Sequence, residues 1–339
     1  MRVFRCLLLS STMLLLTALF ASTSYRVLKS IPLGPSDDTW DFQTIDENAR
    51  RMYVSHFSEV IVLDIDSGKI VGTIPDTPGV HGIAVAANVG KGFVSVGKRS
   101  SAVVFNLKDL HKIQEVSVGA NPDAIIYDPA SGRVFSFNGD SNDATAIEAA
   151  TSKVAGTVPI GGKPEFAIAD GKGHVYVDLV DKNAILPINS QTLMSERPWP
   201  TMPCDRPTSM AADLASQRLF VGCRNLMLAV FDLNTGRYIT QTPIGDNVDT
   251  SSFDPETRLI FSSTGDGWVT VTHEDTPDTY SLVEKIPTHD LSKTMALDPK
   301  THKLFVPAGD VKWLPPAQPG GRPVKRIVAG TFRMLVIGK

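Results

Sequence analysis

The feature that most constrains this chain is an internal repeat. Seven segments share a polar or charged opening residue, an alternating apolar run, a turn, and a second run opened by an aromatic. They begin at Asp41, His81, Asp123, Glu165, Thr208, Asp249 and Lys293, with successive spacings of 40, 42, 42, 43, 41 and 44 residues. A period of about 42 residues made of short strands predicts propeller blades of four strands each. Helical solenoids share that period. The two-residue alternation, the β-branched residues and the turn dipeptides exclude them here. The expectation is an all-β fold, a seven-bladed β-propeller with four antiparallel strands (A to D) per blade.

The repeat also organises the ends. Residues 25–34 match a strand D with no strands A to C before it, and residues 332–338 match a strand C with no strand D after it. The N-terminal strand is therefore expected to complete the last blade, which removes an open sheet edge. Upstream, Arg2 and Arg5 precede an apolar stretch that ends near Phe20, and the small residues Ala21 to Ser24 follow. This is the layout of a secretory signal peptide over residues 1–24, leaving residues 25–339 as one propeller. Ser10, Ser11, Thr12 and Thr17 interrupt a run already short for a membrane helix. The mature chain is expected in the periplasm or outside the cell, as a monomer with no membrane span.

Composition narrows the function classes. An apolar share of 42% excludes a disordered chain, and three Cys are too few for a disulfide scaffold. Loss of the leader removes Arg2 and Arg5 and no acid, so the net charge falls from −3 to −5. That balance argues against electrostatic nucleic-acid binding. Only Cys204 and Cys223 remain, in the D–A loop and at the end of strand B of the same blade. In an exported chain they predict one disulfide.

An aromatic-Val-polar opening recurs in strand B, as in Tyr53-Val54-Ser55-His56 and Tyr176-Val177-Asp178. It resembles the YVTN-repeat, YncE-like family of exported bacterial seven-bladed propellers, over nearly all of the mature chain from about Arg26. No copy reads Tyr-Val-Thr-Asn. The resemblance implies the fold more than an activity, because such propellers include binding proteins, a DNA-binding member, lactonases and redox-enzyme subunits.

What recurs in the blades reads as structural. Asp46, Asp128, Asp170, Asp213, Asp254 and Asp298 read as turn caps, and the strand B aromatics as core between blades. Positions equal in place but different in chemistry read as functional. The strand A openings, Asp41, His81, Asp123, Glu165, Thr208, Asp249 and Lys293, should ring the channel mouth, with His56 and Asn138 near them at strand B ends. Four converging carboxylates should raise one another's pKa or draw in a cation. Oxygen donors suit Ca²⁺ or Mg²⁺, and His81 also admits a transition metal. The candidate ligands are Asp41, His81, Asp123, Glu165 and Asp249. The competing reading has each acid bonded to strand-end amides, with water filling the mouth.

A Pro-rich insertion at 309–326 interrupts the last blade on the same face, where Lys312 and Trp313 are candidate lid residues. Motifs for haem attachment, zinc proteolysis, phosphate loops and serine-hydrolase elbows are absent. The expected function is a binding or scaffold protein that takes a protein partner or small ligand at the channel mouth. The alternatives are a metal-dependent, lactonase-like hydrolase and a single-stranded DNA binder, the latter disfavoured by charge.

Overall fold

Each repeat folds into one four-stranded antiparallel sheet. Blade one runs through Trp40–Asp46, Arg51–His56, Glu59–Asp64 and Ile70–Ile74, hydrogen-bonded in that order. Blades two to six follow the same order, their strands A opening at Val80, Pro122, Pro164, Pro207 and Val248, with the outer strand of blade four split into Met194–Ser195 and Trp199–Pro200. This computed structural model describes residues 24–35, 38–315 and 324–339. The signal-peptide reading of residues 1–24 lies outside them except for Ser24, and so does the insertion tip, 316–323.

Blade seven is assembled from both ends of the chain. Its strands are Ala296–Asp298, Lys303–Ala308, Phe332–Gly338 and Arg26–Gly34. The last pair is antiparallel, from Arg26 opposite Gly338 to Gly34 opposite Phe332. The fold is the expected seven-bladed β-propeller, and the N-terminal strand closes it. Strand A of blade seven begins at Ala296, later than the repeat implied, so Lys293 sits in the loop before it.

Local chemistry explains the turns. In every A–B hairpin the residue just before strand B is left-handed: Arg50, Gly90, Gly132, Gly173, Gln217, Arg258 and His302. The turn acids cap as expected. Asp46 Oδ1 accepts from the backbone amides of Asn48 and Ala49, and Asp128 from those of Ala130 and Ser131. Two of them also join blades. Asp298 accepts both arms of the Arg50 guanidinium at 2.8 and 2.7 Å, and Asp254 lies 2.7 Å from His302 Nδ1.

The core lies between blades. Tyr53, Val60 and Val62 of blade one pack with Val80, Val94 and Phe105 of blade two, and each seam around the ring repeats this arrangement. The closing seam joins Ile31 and Leu33 of the N-terminal strand to Met52, Ile61, Phe332 and Met334. The seven strand B aromatics are all buried. Cys204 and Cys223 form a disulfide with Cα atoms 5.4 Å apart. Closing a loop of this length stabilises by roughly 3 kcal/mol through chain entropy. In blade seven, Val311–Leu314 pairs with Val324–Ile327 as an extra hairpin at the base of the insertion. No helix among the described residues is long and apolar enough to cross a membrane.

Candidate functional site at the channel mouth

The D–A and B–C loops share one face, and a repeated backbone device aims residues into the channel there. Gly79, Asn121, Arg206, Asn247 and Leu291 all have positive φ. Each stands two residues before a ring position: His81, Asp123, Thr208, Asp249 or Lys293. In four of these blades its carbonyl accepts from the amide just past strand B, as Gly97 N–H donates to Gly79 O at 2.8 Å. In four of the five, the residue two further on (His81, Asp123, Asp249 or Lys293) reaches the mouth.

On one side of the mouth, Asp41, His81 and Asp123 come together. His81 Nδ1 is 2.7 Å from Asp41 Oδ2 and 3.7 Å from Asp123 Oδ1. Burial works against the imidazolium, but the Asp41 hydrogen bond and the Asp123 and Glu165 charges outweigh it and raise the His81 pKa. Burial, with Asp41, Glu165 and Asp249 nearby, pushes Asp123 up to about 7 against the pull of His81. On the other side, Asp249 is buried and held by Lys293 and by Arg224 at 3.1 Å. Burial dominates there too, and Asp249 rises to about 6. Glu165 lies 3.9 Å from Arg224.

The structure separates the remaining candidates from this ring. Thr208 is buried, and its hydroxyl donates to the Val248 carbonyl at 2.7 Å, so it does not present to the mouth. Asn138 is also buried and donates to Asp143 at 2.6 Å and Thr145 at 3.1 Å. His56 stacks on Phe332 with ring centroids 4.7 Å apart, and burial lowers its pKa. Asn138 acts within its own blade, and His56 acts at the seam between blades one and seven. Glu165 and Asp249, expected among metal ligands, instead face the chain's own bases.

Arg224 is the ring member the sequence reading missed. It fills the sector that Thr208 leaves. A signal existed, because the residue just past strand B reads Phe57, Gly97, Gly139, Val180, Arg224, Gly265 and Gly309. Only one of these is charged.

Below the ring the channel is apolar. Phe42 of blade one and Phe166 of blade four meet edge to face across it at 5.5 Å, beside a small cavity of about 120 Å³. The mouth is therefore a cup with a floor. A groove of about 560 Å³ leads off it past Asp41, His81, Trp40, Phe57 and Lys98. A second cavity, about 290 Å³, lies between Trp40, Asp41, Lys293 and Ile327. Ile327 belongs to the extra hairpin. Cross-strand pairing puts Trp313 and Lys325 on the Ile327 face of that hairpin and Lys312 with Arg326 on the other. Lys325 sits 5.0 Å from the Trp313 ring centroid and 2.8 Å from Asp290. Of the two lid candidates, Trp313 shares the mouth-side face and Lys312 does not.

No family model matches this chain, and no curated protein matches it. Solved structures do. The WD40 repeats of RRP9 align at a TM-score of 0.74 and 10% identity, over 94% of this chain and 98% of that one. A chain of the mitotic checkpoint complex aligns at 0.74 and 13% identity, over 97% and 99%. Hydrazine synthase of Kuenenia stuttgartiensis aligns at 0.71 and 14% identity, over 81% and 94%. At such identities the likeness is one of fold: a seven-bladed β-propeller whose neighbours include WD40 repeats.

Proposed function

We propose that the chain is an exported binding or scaffold propeller of the YVTN-repeat kind that docks a protein partner on its channel-mouth face. The observation that carries this reading is an asymmetry of exposed apolar side chains. Phe57, Met202, Leu226 and Trp313 are 47–65% exposed, and all lie in D–A or B–C loops around the mouth, with Trp268 beside them. In the A–B and C–D turns of the opposite face, Leu214 is of this kind among the described residues, with Ile70 and Met194 opening the strands beside those turns. Large apolar anchors around a polar centre are what partner-binding surfaces use. The leader-like opening of the sequence and the Cys204–Cys223 pair support an oxidising compartment outside the cytoplasm.

Site-specific photo-crosslinking in cells tests the reading. A crosslinker placed at Phe57, Leu226 or Trp313 should give one shared protein adduct. The same group at Leu214 or Val154 should give none. Adducts confined to the latter positions, or none at the mouth, would overturn it.

A further inference from the structure

We infer that Asp41, His81 and Asp123 form a binding site for a divalent first-row transition-metal ion on the wall of the channel mouth. This goes beyond partner docking and does not depend on it.

The donor geometry comes first. One atom from each residue, two carboxylate oxygens and an imidazole nitrogen, can be chosen so that all three lie within 4.8 Å of one another. Bonds of about 2.0–2.2 Å in tetrahedral or octahedral geometry place neighbouring donors roughly 2.8–3.6 Å apart. His81 Nδ1 is 2.7 Å from Asp41 and 3.7 Å from Asp123, on either side of that range. A side-chain adjustment of a few tenths of an ångström centres an ion among them.

The donors also stand on a rigid frame. All three are set on the strand A openings of adjacent blades, and the kinks at Gly79 and Asn121 aim the second and third. Gly97 fixes the imidazole edge. A Cβ there would stand 3.2 Å from His81 Nε2, 2.9 Å from Asn121 Oδ1 and 3.1 Å from the Gly79 carbonyl. Only a glycine lets the ring lie back against the backbone with Nδ1 facing the two carboxylates.

Charge is unevenly shared around the ring. The two permanent cations described in this ring, Arg224 and Lys293, serve Asp249 and Glu165. On the Asp41–Asp123 side two carboxylates share one imidazole, and among the described residues the Asp123 carboxylate has no ion-pair partner closer than His81 at 3.7 Å. A divalent cation supplies the missing charge. The imidazole decides its class, because Ca²⁺ and Mg²⁺ favour oxygen-only shells while Zn²⁺ and Mn²⁺ accept nitrogen with oxygen. Three protein donors leave further positions open, and the 560 Å³ groove lined by Asp41 and His81 is where an exogenous oxygen donor would reach them.

Isothermal titration of EDTA-stripped protein with ZnCl₂, MnCl₂ and CaCl₂ tests the site. One equivalent of Zn²⁺ or Mn²⁺ should bind at least tenfold more tightly than Ca²⁺. His81→Gln and Asp123→Asn should each weaken that binding at least tenfold, while His273→Gln, in the outer C–D hairpin of blade six, should leave it within about threefold. Thermal melts of the metal-free variants check that they fold. Failure of Zn²⁺ and Mn²⁺ to bind saturably would overturn the inference. So would binding that persists in both His81→Gln and Asp123→Asn, which would place the ion on other histidines such as His111 or His273. Neither result bears on crosslinking at Phe57, Leu226 or Trp313, so the two readings fail separately.

Discussion

At Asp178 a carboxyl group stands where blades one, two and six use a serine hydroxyl, Ser55, Ser95 and Ser263. Ser95 accepts from the Gly82 amide at 2.8 Å and donates to the Asp123 carbonyl of the next blade at 2.7 Å. Asp178 accepts from the Glu165 and Phe166 amides at 3.2 and 2.8 Å, while its second oxygen is buried without a partner. Burial raises its pKa well above the ordinary value. The folded chain thus holds a proton here that the unfolded chain releases near pH 4. Stability falls as pH rises from there toward the folded pKa. Asp178→Asn keeps the acceptor, adds a donor and removes the ionisation. It should stabilise at pH 8 by about 1 kcal/mol or more, and much less at pH 5. Urea denaturation at the two pH values measures this, and an equal gain at both would refute it. The residue scale is also where sequence reading stopped. The period located Asp41, His81 and Asp123, because strand position decides which end of a side chain's strand faces the mouth. It could not tell that Thr208 turns to a backbone carbonyl or that His56 stacks on Phe332. Those outcomes depend on neighbouring blades, which a repeat within one chain does not encode.

At the scale of the element, the A–B hairpin places one residue in the left-handed region in each blade, and only three blades use glycine for it. A side chain held there costs roughly 1 kcal/mol unless it gains contacts. Arg50 gains them, bridging Asp66 and Asp298. Gln217 reaches only the Leu214 carbonyl of its own turn. Gln217→Gly should therefore stabilise by about 0.5–1 kcal/mol, whereas Arg50→Gly should destabilise because it leaves the buried Asp298 carboxylate without its cation. Chemical denaturation should give shifts of opposite sign, and two shifts of the same sign would contradict the account. The turns themselves were legible, since Asp-Pro and Ser-Gly pairs mark them. The bridge from Arg50 to Asp298 was not, because its two ends lie 248 residues apart.

For the whole molecule, the seam between the chain ends is built like the others. Arg26 lies opposite Gly338, where the other blades have a short C–D turn. Joining the ends through three or four residues and opening the chain between Ala150 and Thr151, in the C–D turn of blade three, should give a circular permutant that melts within a few degrees of the parent. A permutant that stays unfolded would mean that this seam is not equivalent to the rest. The seven-fold plan and its closure could be read from the sequence because each blade is one self-similar unit. The extra hairpin could not, since residues 309–326 follow no repeat. The closure also sets an order of events. Residues 26–34 are among the first of the propeller to be synthesised, and their hydrogen-bonding partners, 332–338, are nearly the last. Six blades can form while the chain is still emerging, but the seventh must wait for its final strand. Until then the first blade has no neighbour on one side, and the ring stays open. A chain that locks only when complete stays open while it is being made, and becomes resistant to unfolding once its two ends have paired.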